Sequence, residues 1–137
     1  MVRFEKISTT EKAYPYVDAI VAADYANGTF GTVTDGVFTA GATGFHVIMN
    51  IEKGDDATSD DYVVKKGEHA RIADLSKVDG AALNITSKQL PTTIAKGDKA
   101  VSKADGTLEV PTEAPTAKYI EITEVTRFGA NGKVVVG

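Results

Sequence analysis

Turn signals built on glycine divide this sequence into short segments, and they are the feature that most limits what the chain can fold into. The two-residue signals are Asn27-Gly28, Asp35-Gly36, Asp79-Gly80, Asp105-Gly106 and Asn131-Gly132. Such pairs adopt the positive φ angles of tight hairpin turns at little steric cost. Between them lie short runs rich in Val, Ile and Thr, which favour strands. The sequence therefore predicts many short antiparallel strands in a barrel or a sandwich.

The clearest predicted hairpin occupies residues 28–40, with the sequence GTFGTVTDGVFTA. Alternation places Phe30, Thr32 and Thr34 on one face of its first strand. Asp35-Gly36 then reverses the chain into the second strand. We expect this hairpin to be one unit of the sheet.

A second hairpin is predicted at the C-terminal end. In KYIEITEVTRF, residues 118–128, Ile120 and Ile122 share one face of a strand. The other face of that strand carries Tyr119, Thr123 and Val125. The glycine-rich stretch GANG (129–132) is predicted to form the turn, and KVVV to return as the last strand.

Length and composition agree with one all-β domain. A chain of 137 residues can bury roughly two-thirds of its unfolded surface, so a single core is feasible. The absence of Cys excludes disulfides and thiolate metal sites. We predict a mainly antiparallel barrel or sandwich with short helical turns and an extended N-terminal arm.

Two segments leave the choice of local structure open. Residues 16–28 fit either a buried strand or a few helical turns, and the strand is preferred because no clear helix cap precedes them. Residues 74–84 fit either a short helix or an irregular loop.

The first dozen residues are mostly polar and lack a complete pattern. We therefore predict an N-terminal arm over residues 1–14 and a single β-rich domain over residues 15–137. The alternative is that the first residues form an edge strand of the domain. No apolar signal segment is visible at the start, so synthesis in the cytoplasm is expected. The longest nearly apolar stretch, residues 19–23, is too short to cross a bilayer.

One seven-residue frame occurs three times, as IEKGDDA (51–57), VKKGEHA (64–70) and IAKGDKA (94–100). Glycine can take a left-handed conformation after a strand, and the acid that follows can accept hydrogen bonds from nearby backbone amides. The three copies are unevenly spaced, which argues against a solenoid. We interpret the frame as a reused turn.

Residues that could carry chemistry are few and scattered. The acidic loop contains Asp55, Asp56, Asp60 and Asp61, but it lacks the spacing and the bidentate Glu of a calcium loop. His46 and His69 are isolated from fixed-spacing partners, so a metal site is not expected. No nucleophile elbow or phosphate-binding loop is present. The sequence therefore predicts neither an enzyme nor a cofactor site.

The net charge of −4 and the lack of a Lys/Arg block disfavour nucleic acid as a partner. No membrane association is expected either.

Three stretches together resemble capsid decoration, or cement, proteins of tailed bacteriophages that infect Gram-positive bacteria. They are ADYANGTFGTVTDGVFTAG (23–41), DDYVVKKGEHARIADLSKVDGAALNIT (60–86) and IAKGDKAVSKADGTLEV (94–110). In these proteins an NGTF-like strand is followed by hairpins similar to KGE.ARI and GDKAV…DGTL. The resemblance covers roughly residues 20–110 and consists of turn and strand motifs rather than catalytic signatures.

The resemblance implies a structural, non-enzymatic role on the virion. Such proteins bind the major capsid protein on the outside of the expanded capsid, often as trimers, and reinforce the shell against the pressure of the packaged DNA. A homo-oligomer, with the trimer favoured, is therefore expected for this chain.

The predicted capsid-binding residues lie in the N-terminal segment and its junction with the domain. They are Arg3, Phe4, Ile7, Tyr14 and Tyr16. An arm that orders on binding must recover the lost entropy from apolar and main-chain contacts, for which aromatic side chains are good anchors. Deletion of residues 1–12 is then expected to abolish capsid binding and to spare folding.

Two other functions remain open. The chain could be another virion component, such as a head fibre base, a tail-tube protein or an adaptor, which would self-assemble into rings or tubes. It could also be a β-sandwich interaction module of a bacterial surface protein, which would be accompanied by a signal peptide or flanking domains.

Overall fold

The computed structural model describes residues 2–4, 15–49 and 63–137, and it confirms the all-β class. Two short 3₁₀ turns, Leu75–Lys77 and Ser87–Gln89, accompany the strands. The strands in this part of the chain are β1 (Val2–Phe4), β2 (Tyr16–Val21), β3 (Tyr25–Ala26), β4 (Phe30–Thr34), β5 (Val37–Ala40), β6 (His46–Ile48), β7 (Val63–Val64), β8 (His69–Asp74), β9 (Ala82–Thr86), β10 (Lys99–Ser102), β11 (Leu108–Glu109), β12 (Tyr119–Thr126) and β13 (Gly129–Val135).

The strands form a small closed barrel, a larger open sheet and a short ribbon. The barrel has the strand order β2-β5-β4-β6-β8, and the six-stranded sheet has the order β1-β9-β13-β12-β10-β11. The ribbon pairs β3 with β7. Neighbouring strands pair antiparallel except for β2 and β5, which close the barrel in parallel. The predicted barrel is thus present, together with a sheet that the sequence did not reveal.

The barrel has its own apolar interior. Each of its strands contributes to a cluster of buried or half-buried residues that also receives Tyr25 and Val64 from the ribbon. The cluster contains Val17, Ala19, Val21, Val33, Phe38, Ile48, Ala70 and Ile72. The Tyr25 and Phe38 rings meet edge to face, with their centroids 5.6 Å apart. Most of the side chains in this interior are short aliphatic groups.

A second core lies between the barrel and the six-stranded sheet. Barrel strands supply Phe30, Val47 and Ala73 to it, and the loop before β6 supplies Phe45. The sheet supplies Leu83, Ile85, Ala100, Leu108, Ile120, Ile122, Ala130 and Val134. Neighbouring residues on β6 and β8 therefore face different cores, so each of these two strands supplies buried residues to both.

Ser102 of β10 joins the sheet to the barrel. Its hydroxyl accepts a hydrogen bond from the Gly44 amide at 2.8 Å and lies 2.8 Å from the Gly41 carbonyl oxygen, to which it can donate. Nearby, the Phe30 amide donates to the Gly106 carbonyl at 2.8 Å. A Cβ at Gly106 would collide with the Thr29 side chain, so glycine permits this close approach. These bonds fix the two layers relative to each other.

The hairpin predicted over residues 28–40 is confirmed. β4 and β5 pair antiparallel from Gly31↔Ala40 to Thr34↔Val37. Asp35 and Gly36 both have positive φ, at 51° and 78°, as the favoured two-residue hairpin turn requires. The preference for strand over helix after Pro15 is also confirmed by β2, and the segment 74–84 contains the 3₁₀ turn Leu75–Lys77.

The turn predicted for the C-terminal hairpin is wrong in position. The chain reverses at Arg127 and Phe128, and GANG belongs to β13. A Cβ at Gly129 would collide with the carbonyl oxygen of Ile85, and one at Gly132 would collide with the Ile120 side chain. The register also shifts opposite Asn131 and Gly132, which marks a bulge in β12. Gly129 and Gly132 therefore allow neighbouring strands to approach closely, and Gly132 also lies opposite the bulge, whereas neither residue forms the turn.

The shared face predicted for Ile120 and Ile122 is confirmed, because both side chains are buried in the core between the two layers.

The N-terminal segment begins with a strand. β1 pairs antiparallel with β9, from Val2↔Ile85 to Phe4↔Leu83, and Val2 is only 2% exposed. For these three residues the structure agrees with the alternative of an edge strand. Residues 5–14 of the predicted arm lie outside the described residues.

Two of the three repeated frames form the same turn. In the second, the Glu68 carboxylate accepts the Lys65 amide at 2.9 Å, and Gly67 has a φ of 84°. The Gly67 amide donates to the Val21 carbonyl at 2.9 Å, and the Val21 amide donates back to the Glu68 carbonyl at 3.1 Å. The turn thus forms two hydrogen bonds with a single residue, Val21, of the neighbouring strand β2.

The third frame repeats this pattern on the other sheet. The Asp98 carboxylate accepts the Ala95 amide at 2.8 Å, and Gly97 has a φ of 92°. The Gly97 amide donates to the Ile122 carbonyl at 2.7 Å, and the Ile122 amide donates to the Asp98 carbonyl at 2.8 Å. The interpretation as a reused turn is confirmed for both copies, whereas the copy at 51–57 lies outside the described residues.

Substitution of Gly67 or Gly97 by Val is expected to lower the free energy of unfolding by about 1–3 kcal/mol. A β-branched residue is strained at positive φ, whereas the space around both Cβ positions is open, so the cost is in the backbone. Gly41→Val is the control, because Gly41 also has open space but no positive φ. Urea denaturation measures the change, and equal stability of all three variants and the parent would contradict the assignment.

Candidate binding surface

The five residues predicted to bind a capsid do not form one exposed group. Arg3 and Phe4 lie on β1 and Tyr16 begins β2, whereas Ile7 and Tyr14 lie outside the described residues. The Phe4 and Tyr16 rings meet edge to face, with a centroid distance of 6.2 Å and an interplanar angle of 72°. Both are half-buried and pack against the core between barrel and sheet.

Arg71 extends this aromatic contact. Its guanidinium carbon lies 4.0 Å from the centroid of the Tyr16 ring, and its Nε donates to the Met49 carbonyl at 3.0 Å. A cation over an aromatic face is attracted by the ring quadrupole. Phe4, Tyr16 and Arg71 thus form a stack that holds β1 and β2 against the domain. The structure gives these two predicted anchors an internal packing role.

The most exposed large apolar side chain in the described part of the chain lies elsewhere. Phe128, at the turn between β12 and β13, is 73% exposed, and Val125 on the same hairpin is 47% exposed. The Arg127 guanidinium carbon lies 5.6 Å from the centroid of the Phe128 ring. The tip of this hairpin, residues 125–128, therefore presents an aromatic ring, an aliphatic side chain and a cation to solvent.

The backbone of this tip is held in place. Thr126 pairs with Gly129 across the turn, and the Ser87 amide donates to the Phe128 carbonyl at 2.9 Å. Sequence reasoning missed the tip because it placed the turn at GANG. The sequence signal for the tip was the Arg127-Phe128 pair, which directly follows the alternating residues of the predicted strand. A Phe beyond the end of that pattern is not needed to fill the core and can therefore be exposed.

The two histidines are on different strands and have different surroundings. His46 Nε2 lies 3.7 Å from Asp74 Oδ2 on the paired strand β8. Burial lowers the pKa of His46 below its ordinary value, with smaller contributions from Lys77 and Lys118, while Asp74 acts in the opposite direction. His69 is exposed, and its Nδ1 lies 3.0 Å from Asp18 Oδ2.

No group of three or more His, Asp or Glu side chains that could hold a metal ion occurs within residues 2–4, 15–49 and 63–137. The acidic loop with Asp55, Asp56, Asp60 and Asp61 lies outside these ranges. Over the same ranges, none of the helices has the length and the apolar character that crossing a membrane would require.

Comparison with known proteins gives no relative. No protein family, no curated protein and no solved structure matches this chain.

Truncation of Tyr16 is expected to destabilise the domain, whereas truncation of Phe128 is not. Tyr16→Ala removes a half-buried ring that contacts Phe4 and Arg71, and it should cost about 2 kcal/mol. Phe128→Ala removes a ring that is 73% exposed, and its backbone hydrogen bond to Ser87 remains. Thermal unfolding of both variants tests this, and an equal loss of Tm in the two would contradict the packing role of Tyr16.

Acidification is expected to destabilise the protein through His46. Because its pKa is lowered in the folded chain, the unfolded chain binds more protons between the ordinary pKa near 6.5 and the lower folded value. Stability therefore falls as pH falls through this window, and His46→Gln should reduce that loss. Urea midpoints between pH 7.5 and 5 measure it, with His69→Gln as the matched comparison. A pH dependence that responds to His69 and not to His46 would contradict this assignment.

Proposed function

We propose that this chain is a structural virion protein that binds the outer surface of the expanded capsid of a tailed bacteriophage and stabilises the shell. The observation that carries the proposal is the resemblance of residues 23–41, 60–86 and 94–110 to decoration proteins of phages of Gram-positive hosts. The partner is the major capsid protein, and the chain contributes binding area rather than a catalytic group.

The stretches that carry the resemblance support the proposal because they form turns and hairpins of the fold. The first stretch contains the β4–β5 hairpin, the second contains the turn at Gly67 followed by β8, and the third contains the turn at Gly97 and the β10–β11 hairpin. Motifs of this kind specify a shape. A protein that reinforces a shell needs a defined shape and no reactive side chain.

Dense packing also suits a protein that bears load. Strands β6 and β8 supply buried residues to both cores, and Ser102 and Gly106 form hydrogen bonds that join the sheet to the barrel. Interiors packed in this way have low compressibility and transmit strain. A domain of this kind, once bound across a capsid joint, would resist movement of the capsid subunits below it.

The variant that tests the N-terminal segment follows from the position of β1. Deletion of residues 1–12 would remove Val2, which is buried, and the strand that covers the edge of β9. The deletion would therefore destabilise the domain, and a loss of capsid binding could not be distinguished from a loss of folding. Replacement of residues 5–12 by a Gly/Ser linker of equal length leaves β1 in place and removes Ile7. Arg3, Ile7 and Tyr14 stay predicted contact residues, whereas Phe4 and Tyr16 also hold the fold.

Co-sedimentation with undecorated capsids tests the proposal. The purified chain is mixed with expanded capsids, or with unexpanded procapsids, from the same source and separated on a gradient. We expect saturable binding to expanded capsids at a fixed ratio to the major capsid protein, and none to procapsids. The linker variant, compared with the parent at a temperature at which both are folded, should bind more weakly.

Absence of binding to both capsid forms would contradict the decoration role. Rings or tubes formed by the chain alone would then favour a tail or adaptor component. Saturable binding that is the same for procapsids and expanded capsids would contradict the specificity for the expanded state.

A further inference from the structure

We propose that the tip of the β12–β13 hairpin is a capsid anchor, and that it inserts the Phe128 ring into an apolar recess bordered by carboxylates on the major capsid protein. This inference rests on the proposed function and adds a second contact to the one predicted in the N-terminal segment. The tip is the group of residues 125–128.

The exposure of Phe128 is the first step. Phe30, Phe38 and Phe45 are buried, yet Phe128 is 73% exposed and lies beside Val125, which is 47% exposed. Transfer of such a ring from water into an apolar recess would strengthen binding roughly ten- to a hundredfold. Aromatic residues and arginine are enriched in protein interfaces, and here they are neighbours in the chain.

The turn chemistry is the second step. Two-residue hairpin turns favour residues that accept positive φ, as Asp35 and Gly36 do in the β4–β5 hairpin. Neither Arg127 nor Phe128 has positive φ, so the β12–β13 turn belongs to neither favoured type. Folding of this turn therefore does not call for a large aromatic residue. Phe128 adds little burial to the domain, so most of its ring is available for a contact outside the chain.

The fixed backbone of the tip is the third step. The Phe128 carbonyl accepts the Ser87 amide, and Thr126 pairs with Gly129. Gly129 lies so close to the Ile85 carbonyl that a side chain there would collide with it. A ring carried on an ordered turn loses less freedom on binding than one on an arm that must first become ordered.

Charge indicates the kind of partner. Arg127 is exposed, and its guanidinium lies beside the Phe128 ring, so the tip presents a cation although the whole chain carries a net charge of −4. A recess lined by apolar groups and bordered by carboxylates would complement it. One ring and one cation are too little for stable attachment to a bilayer, which favours a protein partner.

Quantitative binding of four chains to expanded capsids tests the anchor. They are the parent, Phe128→Ala, Arg127→Gln and Val110→Ala, the last being a control at an exposed valine that follows β11. We expect Phe128→Ala to raise the Kd at least tenfold and Arg127→Gln to raise it severalfold with a weaker salt dependence. Val110→Ala should bind as the parent does, and the Tm of all four should agree.

Several results would overturn the anchor, and they can be told apart. Parent-like binding of Phe128→Ala would overturn it while the decoration role stands. No binding of the parent to expanded capsids would remove the decoration role and the anchor with it. Parallel sedimentation with anionic phospholipid vesicles and analytical ultracentrifugation of the chain alone complete the design. Loss of vesicle binding or of self-association in Phe128→Ala, without loss of capsid binding, would assign the ring to a membrane or to a second copy of this chain.

Discussion

The division of neighbouring residues on β6 and β8 between two cores is the constraint on which the rest of the structure depends. On β6, Val47 faces the core shared with the sheet, while Ile48 faces the barrel interior. On β8, Ala73 and Ile72 divide in the same way. A barrel of five short strands encloses too few side chains to be stable alone, so the six-stranded sheet must cover its outer side. The hydrogen bonds of Ser102 and Gly106 fix the position of the six-stranded sheet relative to the barrel.

Local features of the fold could be predicted from the sequence, because they depend on residues close together in the chain. Asp35-Gly36 specified its own hairpin, and the Gly-acid frames specified two equivalent turns. GANG was misassigned because an Asn-Gly pair can serve a turn or a bulge, and the choice depends on the approach of β9 to Gly129, which is remote in sequence. The parallel closure of β2 on β5 and the division into two cores depend on similarly remote contacts.

The same distinction applies to the candidate binding surface. Polar composition at the N-terminus suggested an arm, but Val2 is buried through its pairing with β9, a partner that no local pattern reveals. Phe4 and Tyr16 are predicted capsid contacts, and in the structure their rings also pack against each other within the domain. The exposure of the Phe128 ring follows from the position of the turn at Arg127 and Phe128, which the local sequence pattern does not reveal. The proposed surface thus combines a resemblance in the sequence with an exposure that only the fold could reveal.

A cryo-electron microscopy map of expanded capsids saturated with this chain is the most direct test of the decoration role and of the Phe128 contact. We expect ordered density for the β-domain on the outer surface at one class of symmetry-related positions, with the β12–β13 hairpin directed into the shell and the Phe128 ring enclosed by capsid protein. Capsids without added density, or a bound domain whose hairpin tip faces solvent, would contradict it.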